Sequence, residues 1–141
     1  TAVHSDMIMW HYEEQVEIAA FQLLNVLYTV PQISVRLEDI PKDHLKMMQF
    51  YLNYWAENQK VLLEGNFETP YPLQHYPVLS AGNEDKKIIT LYSDQYISLA
   101  ESLPPRIDII NAKNNSTVIL NAQKDLGTYN YAIYNCLGVV Q

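Results

Sequence analysis

Apolar and polar positions along the chain follow two rhythms, and the change comes near Gly65. Before it, apolar residues recur every three to four positions, the period of a helix packed on one side. After it, they alternate in short runs broken by turn residues, the period of half-buried strands. His11 to Val30 predicts a first helix. It has one stripe at Val16, Ala20, Leu23 and Leu27 and a second at Phe21, Leu24 and Tyr28. Glu13 and Glu14 suit its positive end, and Pro31 is expected to stop it. Gln32 to Leu37 reads as a short extended piece. A second helix is expected from about Pro41 to Glu64, with its stripe at Leu45, Met48, Leu52, Trp55, Gln59 and Leu62. Lys42, Lys46, Asn53 and Lys60 should face water. Gly65-Asn66 supplies a glycine stop. Phe50, Tyr51, Tyr54 and Trp55 could stack on a sugar, but helical spacing favours core packing.

Thr69-Pro70-Tyr71-Pro72 and Tyr76-Pro77 read as a stiff linker. Six strands are then expected: Val78–Ala81, Lys87–Ser93, Tyr96–Ala100, Arg106–Ala112, Thr117–Ala122 and Tyr129–Asn135. Asn114-Asn115 fits a two-residue hairpin turn between the fourth and fifth. The fold class is therefore α+β, with a helical segment at residues 1–66 and an antiparallel β-sandwich at residues 67–141. Overlapping glycosylation sequons lie at Asn114-Asn115-Ser116-Thr117, though so short a motif arises readily in a turn.

Charge narrows the partners. The 141 residues carry a net charge of −7. Acidic residues outnumber basic ones nine to four up to Gly65 and seven to five beyond it. Neither part offers a basic face, so nucleic acid is a poor partner. The longest apolar stretch, Val16 to Val30, is interrupted by Glu17, Gln22 and Asn25, too short and too polar to span a bilayer. With 48% hydrophobic and 18% charged residues, a packed core is expected.

The chemistry-bearing residues are few. Cys136 is the single cysteine, which excludes an internal disulfide and a cysteine-built zinc site; it reads as a small buried hydrophobe. There is no phosphate-cradling glycine loop, no His-Glu-x-x-His and no Gly-x-Ser-x-Gly, and no cofactor is implied. The one dense polar constellation is His4-Ser5-Asp6 followed by Trp10-His11 and Glu13-Glu14. Three readings stay open. Asp6 or His4 caps a helix start; His4, Asp6 and Trp10 line a sugar pocket; or His4, Asp6 and His11 surround a metal. No pair of opposed carboxylates for glycoside hydrolysis is apparent, so no catalytic residue is assigned.

Ala2-Val3-His4-Ser5-Asp6-Met7, then Trp10-His11, Gln32-Ile33-Ser34-Val35 and Ile88-Ile89-Thr90-Leu91-Tyr92-Ser93 together carry a resemblance. Gly127-Thr128-Tyr129-Asn130-Tyr131 to Cys136 adds to it in style. The chain resembles the C-terminal end of clan-D glycoside hydrolases, most of all the retaining α-galactosidases of family thirty-six, or melibiases. The resemblance implies that residues 1–66 close a (β/α)8 catalytic barrel and that residues 67–141 form the sandwich after it. It also implies that the catalytic aspartates lie on earlier barrel strands, outside this chain. His4-Ser5-Asp6 would sit at the C-terminal mouth of a late barrel strand. The expected function is then a supporting fragment of an α-galactosidase-like hydrolase, inactive alone. Its partners would be the remainder of the barrel and galactosides, and the truncated surface should self-associate. A chain that opens on Thr1 instead of methionine fits a tail. Two other classes compete. Eleven tyrosines and two tryptophans suit a free-standing carbohydrate-binding or protein-interaction module. The apolar first helix suits a small regulatory protein with an obligate partner.

Overall fold

A computed structural model describes residues 4–69, 78–100, 102–123, 125–127 and 129–141, apart from the side chain of Asp6. The proline-rich stretch read as a linker, Pro70 to Pro77, and the Ala2-Val3 start of the family motif lie outside the described residues. The fold is α+β, with two helices and several small sheets of mixed direction among the described residues. The chain divides into two compact units, residues 1–59 with 131–141, and residues 60–130.

The first unit runs β1 (His4–Ile8), α1 (Val16–Leu24), β2 (Val30–Ile33), a 3-10 turn (Leu37–Asp39) and α2 (Lys42–Glu64), whose last residues belong to the second unit. β1 and β2 are parallel neighbours, and α1 makes the crossover that a parallel pair requires. Met7 lies opposite Gln32, and Ile8 opposite Ile33. Between His4↔Val30 and Met7↔Gln32 the register slips, so Ser5 and Asp6 stand against Pro31 alone. Proline has no N–H to give the ladder, and a bulge absorbs the mismatch. Gln32 N–H donates to the Ser5 hydroxyl at 2.9 Å within this irregularity.

Strand alternation separates two faces. Ile8, Trp10, Ile33 and Val35 pack on a core of Ala19, Ala20, Leu23, Met47 and Met48 from the two helices. Met7, Met9, Gln32 and Ser34 are exposed. The helices therefore cover one face of the parallel pair.

Both expected helices are present, with corrections. The first is Val16–Leu24 and not His11–Val30. Gln15 is extended (ψ 144) and no side chain caps the helix, so the turn at His11–Glu14 stays separate from it. After Leu24 the backbone bonds tighten to three-residue spacing, Val26 to Leu23, Leu27 to Leu24 and Thr29 to Val26. The helix thus ends before Pro31, which lies inside β2. The first stripe is still inward, with Ala20, Leu23 and Leu27 buried.

α2 matches its expected span, and Lys42, Lys46, Asn53 and Lys60 are exposed as expected. Its buried face is rotated by about one position. His44, Met47, Met48, Asn58, Val61 and Leu62 are buried, while Leu45 and Gln59 face solvent. Gly65 follows the helix for a steric reason. A Cβ there would lie 2.5 Å from the Val61 carbonyl oxygen and 2.9 Å from that of Gly82.

In the second unit, β3 (Asn66–Glu68), β4 (Val78–Gly82), β5 (Lys86–Leu91) and β7 (Arg106–Asn111) form one sheet in that order. β6 (Ile97–Leu99) and β8 (Leu120–Ala122) form a two-stranded pair. The expectation of antiparallel pairing holds only for β3–β4 and β4–β5; β5–β7 and β6–β8 are parallel. The chain alternates between the two sheets after β5, so each strand returns beside the one before last in the same direction. Val78, Ile89, Leu91, Ile97 and Leu99 form a shared apolar core, with Ile107, Ile109 and Val118 against it.

This alternation also removes the hairpin expected at Asn114-Asn115, since β7 and β8 do not pair. The Asn111 side chain holds the connection by donating to the Asn115 carbonyl at 2.7 Å. The Asn115 amide donates to Asp94 at 2.8 Å. That bond, with Lys113 beside it, holds the Asp94 carboxyl below its ordinary range.

The sixth expected strand, Tyr129–Asn135, does not form. Tyr134 makes one antiparallel bridge to Val140. Asn135 Oδ1 accepts the N–H groups of Leu137 and Val139, each at 3.0 Å, and Gly138 takes φ +78. This turn seats Cys136 and Leu137 on the core of the first unit.

Candidate functional site

The parallel pair sets the frame for the sequence-derived site. In α/β units, ligands gather at the carboxyl ends of parallel strands. Here those ends lead into Met9-Trp10 and Ser34-Val35. His4 lies at the other end, as the first residue of β1, where it pairs with Val30 and is exposed. The expectation that His4-Ser5-Asp6 as a group sits at the strand mouth therefore gives way to Met9 and Trp10. The side chain of Asp6 lies outside the described residues.

His4 opens β1, and His11 lies three residues beyond the end of that strand at Ile8. Among the described residues no group of three His, Cys, Asp or Glu side chains is placed to hold a metal ion. His11 instead stacks on Tyr12 at 4.5 Å, and its Nδ1 accepts the Glu13 N–H at 3.2 Å.

Trp10 is the member of the trio that the fold engages. Its indole packs on the helical core, and Nε1 donates to His44 Nδ1 at 3.0 Å. His44 Nε2 lies 2.9 Å from the Glu14 carbonyl oxygen. Because Nδ1 accepts and a carbonyl can only accept, the ring proton sits on Nε2. His44 is 1% exposed. It ties β1's exit, the loop before α1 and the first turn of α2 together. Sequence reading passed over it; the signal was its place one turn before Met47 and Met48.

Two further groups of this unit, Cys136 and Tyr51, hold their protons more tightly than usual. Burial, and then a nearby Glu17, pushes the Cys136 thiol up. Burial, and then Cys136, pushes the Tyr51 hydroxyl up to about 12. The thiol packs against the core of the first unit, and its raised pKa leaves little thiolate at neutral pH. The Trp55 indole N–H donates to the Thr29 carbonyl at 2.9 Å. The aromatics of α2 are thus half-buried packing groups, in keeping with their spacing. No described helix is long and apolar enough to cross a membrane.

Comparison with protein-family models, curated proteins and solved structures finds no match for this chain.

Proposed function

We propose that this chain is the closing part of a (β/α) barrel hydrolase of the retaining α-galactosidase type, followed by a small β-sandwich that supports the barrel. The observation that carries the reading is the one-sided β1-α1-β2-α2 unit. Its helices pack on Ile8, Trp10, Ile33 and Val35, while Met7 and Met9 on the opposite face are 63% and 65% exposed. Among the described residues, β1 pairs only with β2. Parallel sheets are ordinarily covered on both faces and extended at both edges. In a barrel the second face is the packed interior, and neighbouring strands supply the edges. The family resemblance agrees in order, since strand, helix, strand and helix lead into a β-rich region.

On this reading β3 to β8 make the sandwich, and their shared core of Val78, Ile89, Leu91, Ile97 and Leu99 supports that assignment. The chain by itself supplies no catalytic pair, and the galactoside is bound mainly by upstream strands. His4, Asp6 and Trp10 contribute to the wall of that site at most through their neighbours on β1. The test is hydrolysis of an aryl α-galactoside. The chain alone should give no turnover, and the longer product of its gene should give robust turnover. Robust turnover by the chain alone overturns the proposal.

A further inference from the structure

The β6–β8 pair covers only part of the four-stranded sheet. Ile97 and Leu99 pack over Val78, Ile89 and Leu91. The register sets Glu68 opposite Ser80, and Ser80 opposite Ile89, so these three residues form a row across β3, β4 and β5. Between that row and the chain at Tyr96–Ser98 lies an open cleft of about 450 Å³. Small-molecule sites span about 300–1,000 Å³.

Its lining is of three kinds. The floor is apolar and buried, at Val78, Ile89 and Ile97. Thr69, Ser80 and Ser98 line its walls, and Tyr96, 51% exposed, stands at its rim. Lys87 Nζ lies 3.9 Å from the Glu68 carboxylate, so the cleft carries one charge of each sign. Thr69 Oγ1 is buried with no hydrogen-bond partner, alone in this among the described residues. A buried hydroxyl without a partner is costly, and such a group marks a place for a missing one.

We propose that this cleft binds a neutral polyhydroxylated ring compound, of monosaccharide or cyclitol size. The C–H face of such a ring packs on Tyr96 and the apolar floor. Its hydroxyls both donate and accept, which suits Glu68, Lys87 and the three side-chain hydroxyls together. An anion would meet Glu68, and a cation would meet Lys87; a neutral polyol satisfies both. The inference concerns the second unit and does not rest on the barrel reading, so either can fail without the other.

The test titrates the full chain with D-galactose, D-glucose and myo-inositol, following backbone amide signals by NMR. At least one of the three should shift Thr69, Ser80, Tyr96 and Ser98 saturably, with the weak affinity of a one-ring ligand. Tyr96→Ala removes an exposed ring and should weaken that binding about tenfold. Lys87→Met should weaken it too, and both variants should keep the wild-type spectrum elsewhere. Absence of saturable shifts at these residues with all three compounds overturns the proposal. So does equal binding by wild type and Tyr96→Ala.

Discussion

Trp10 and His44, thirty-four residues apart in sequence, are joined by an indole N–H that donates to imidazole Nδ1 at 3.0 Å. The other ring nitrogen donates its N–H to the Glu14 carbonyl oxygen at 2.9 Å. A buried histidine with both nitrogens used is a structural tie. Its ¹⁵N NMR signature should be that of the neutral Nε2–H tautomer. Trp10→Phe leaves Nδ1 buried without its donor, and the cost should be about 1–3 kcal/mol in urea denaturation. An unchanged midpoint for Trp10→Phe would mean that the pair contributes nothing.

Tyr51 gives the fold an alkaline limit. Its hydroxyl ionises near 12 in the folded chain, raised from an ordinary 10.0 mainly by burial. A pKa raised on folding means that the folded state holds the proton longer. The stability contributed is complete below about pH 10 and is lost as pH rises through about 12. The loss should be on the order of 2 kcal/mol, and Tyr51→Phe should flatten the stability curve across that window.

Cys136 should react slowly with a disulfide reagent at pH 8. Its thiol is raised by burial and by Glu17, so little thiolate is present and access is partial. Mild urea should accelerate the reaction. Immediate reaction in buffer would place the thiol outside the core of the first unit.

Gly138 is the position in the C-terminal turn that tolerates least. Its φ is +78, and a Cβ would lie 2.6 Å from Phe50 Cδ2. Gly138→Ala should destabilise the chain by about 1 kcal/mol or more in thermal denaturation. Adding Phe50→Ala should not restore stability, because the ring goes but the backbone strain stays.

The long-period features were legible in the sequence. α2 was visible from Lys42 to Glu64, and β4, β5, β6 and β7 fall within two residues of their expected bounds, because hydrophobic spacing records which face is buried. Features set by partners distant in sequence were not legible. Alternation is the same for parallel and antiparallel strands, so it did not reveal that β5 pairs with β7 in parallel. The run from Tyr129 to Asn135 alternates like a strand, yet its pairing is confined to a single bridge from Tyr134 to Val140, because Asn135 turns the chain back. Pro31 looked like a helix stop, whereas its missing N–H is accommodated by the bulge at Ser5 and Asp6. In the candidate site, Trp10 was identified, but its hydrogen-bond partner was not. A histidine among methionines on a helix face resembles an ordinary core position.

The central claim is that the open face of the β1–β2 pair belongs inside a larger barrel. Methionine oxidation by dilute peroxide, read by peptide mass spectrometry, tests it most directly. Met7 and Met9 are exposed in this chain, whereas Met47 is fully buried and Met48 nearly so. In the isolated chain Met7 and Met9 should oxidise quickly and Met47 and Met48 slowly. In a longer protein that joins this chain to the upstream barrel strands of the proposal, all four should be protected. Equal, rapid oxidation of Met7 and Met9 in both proteins would contradict the account.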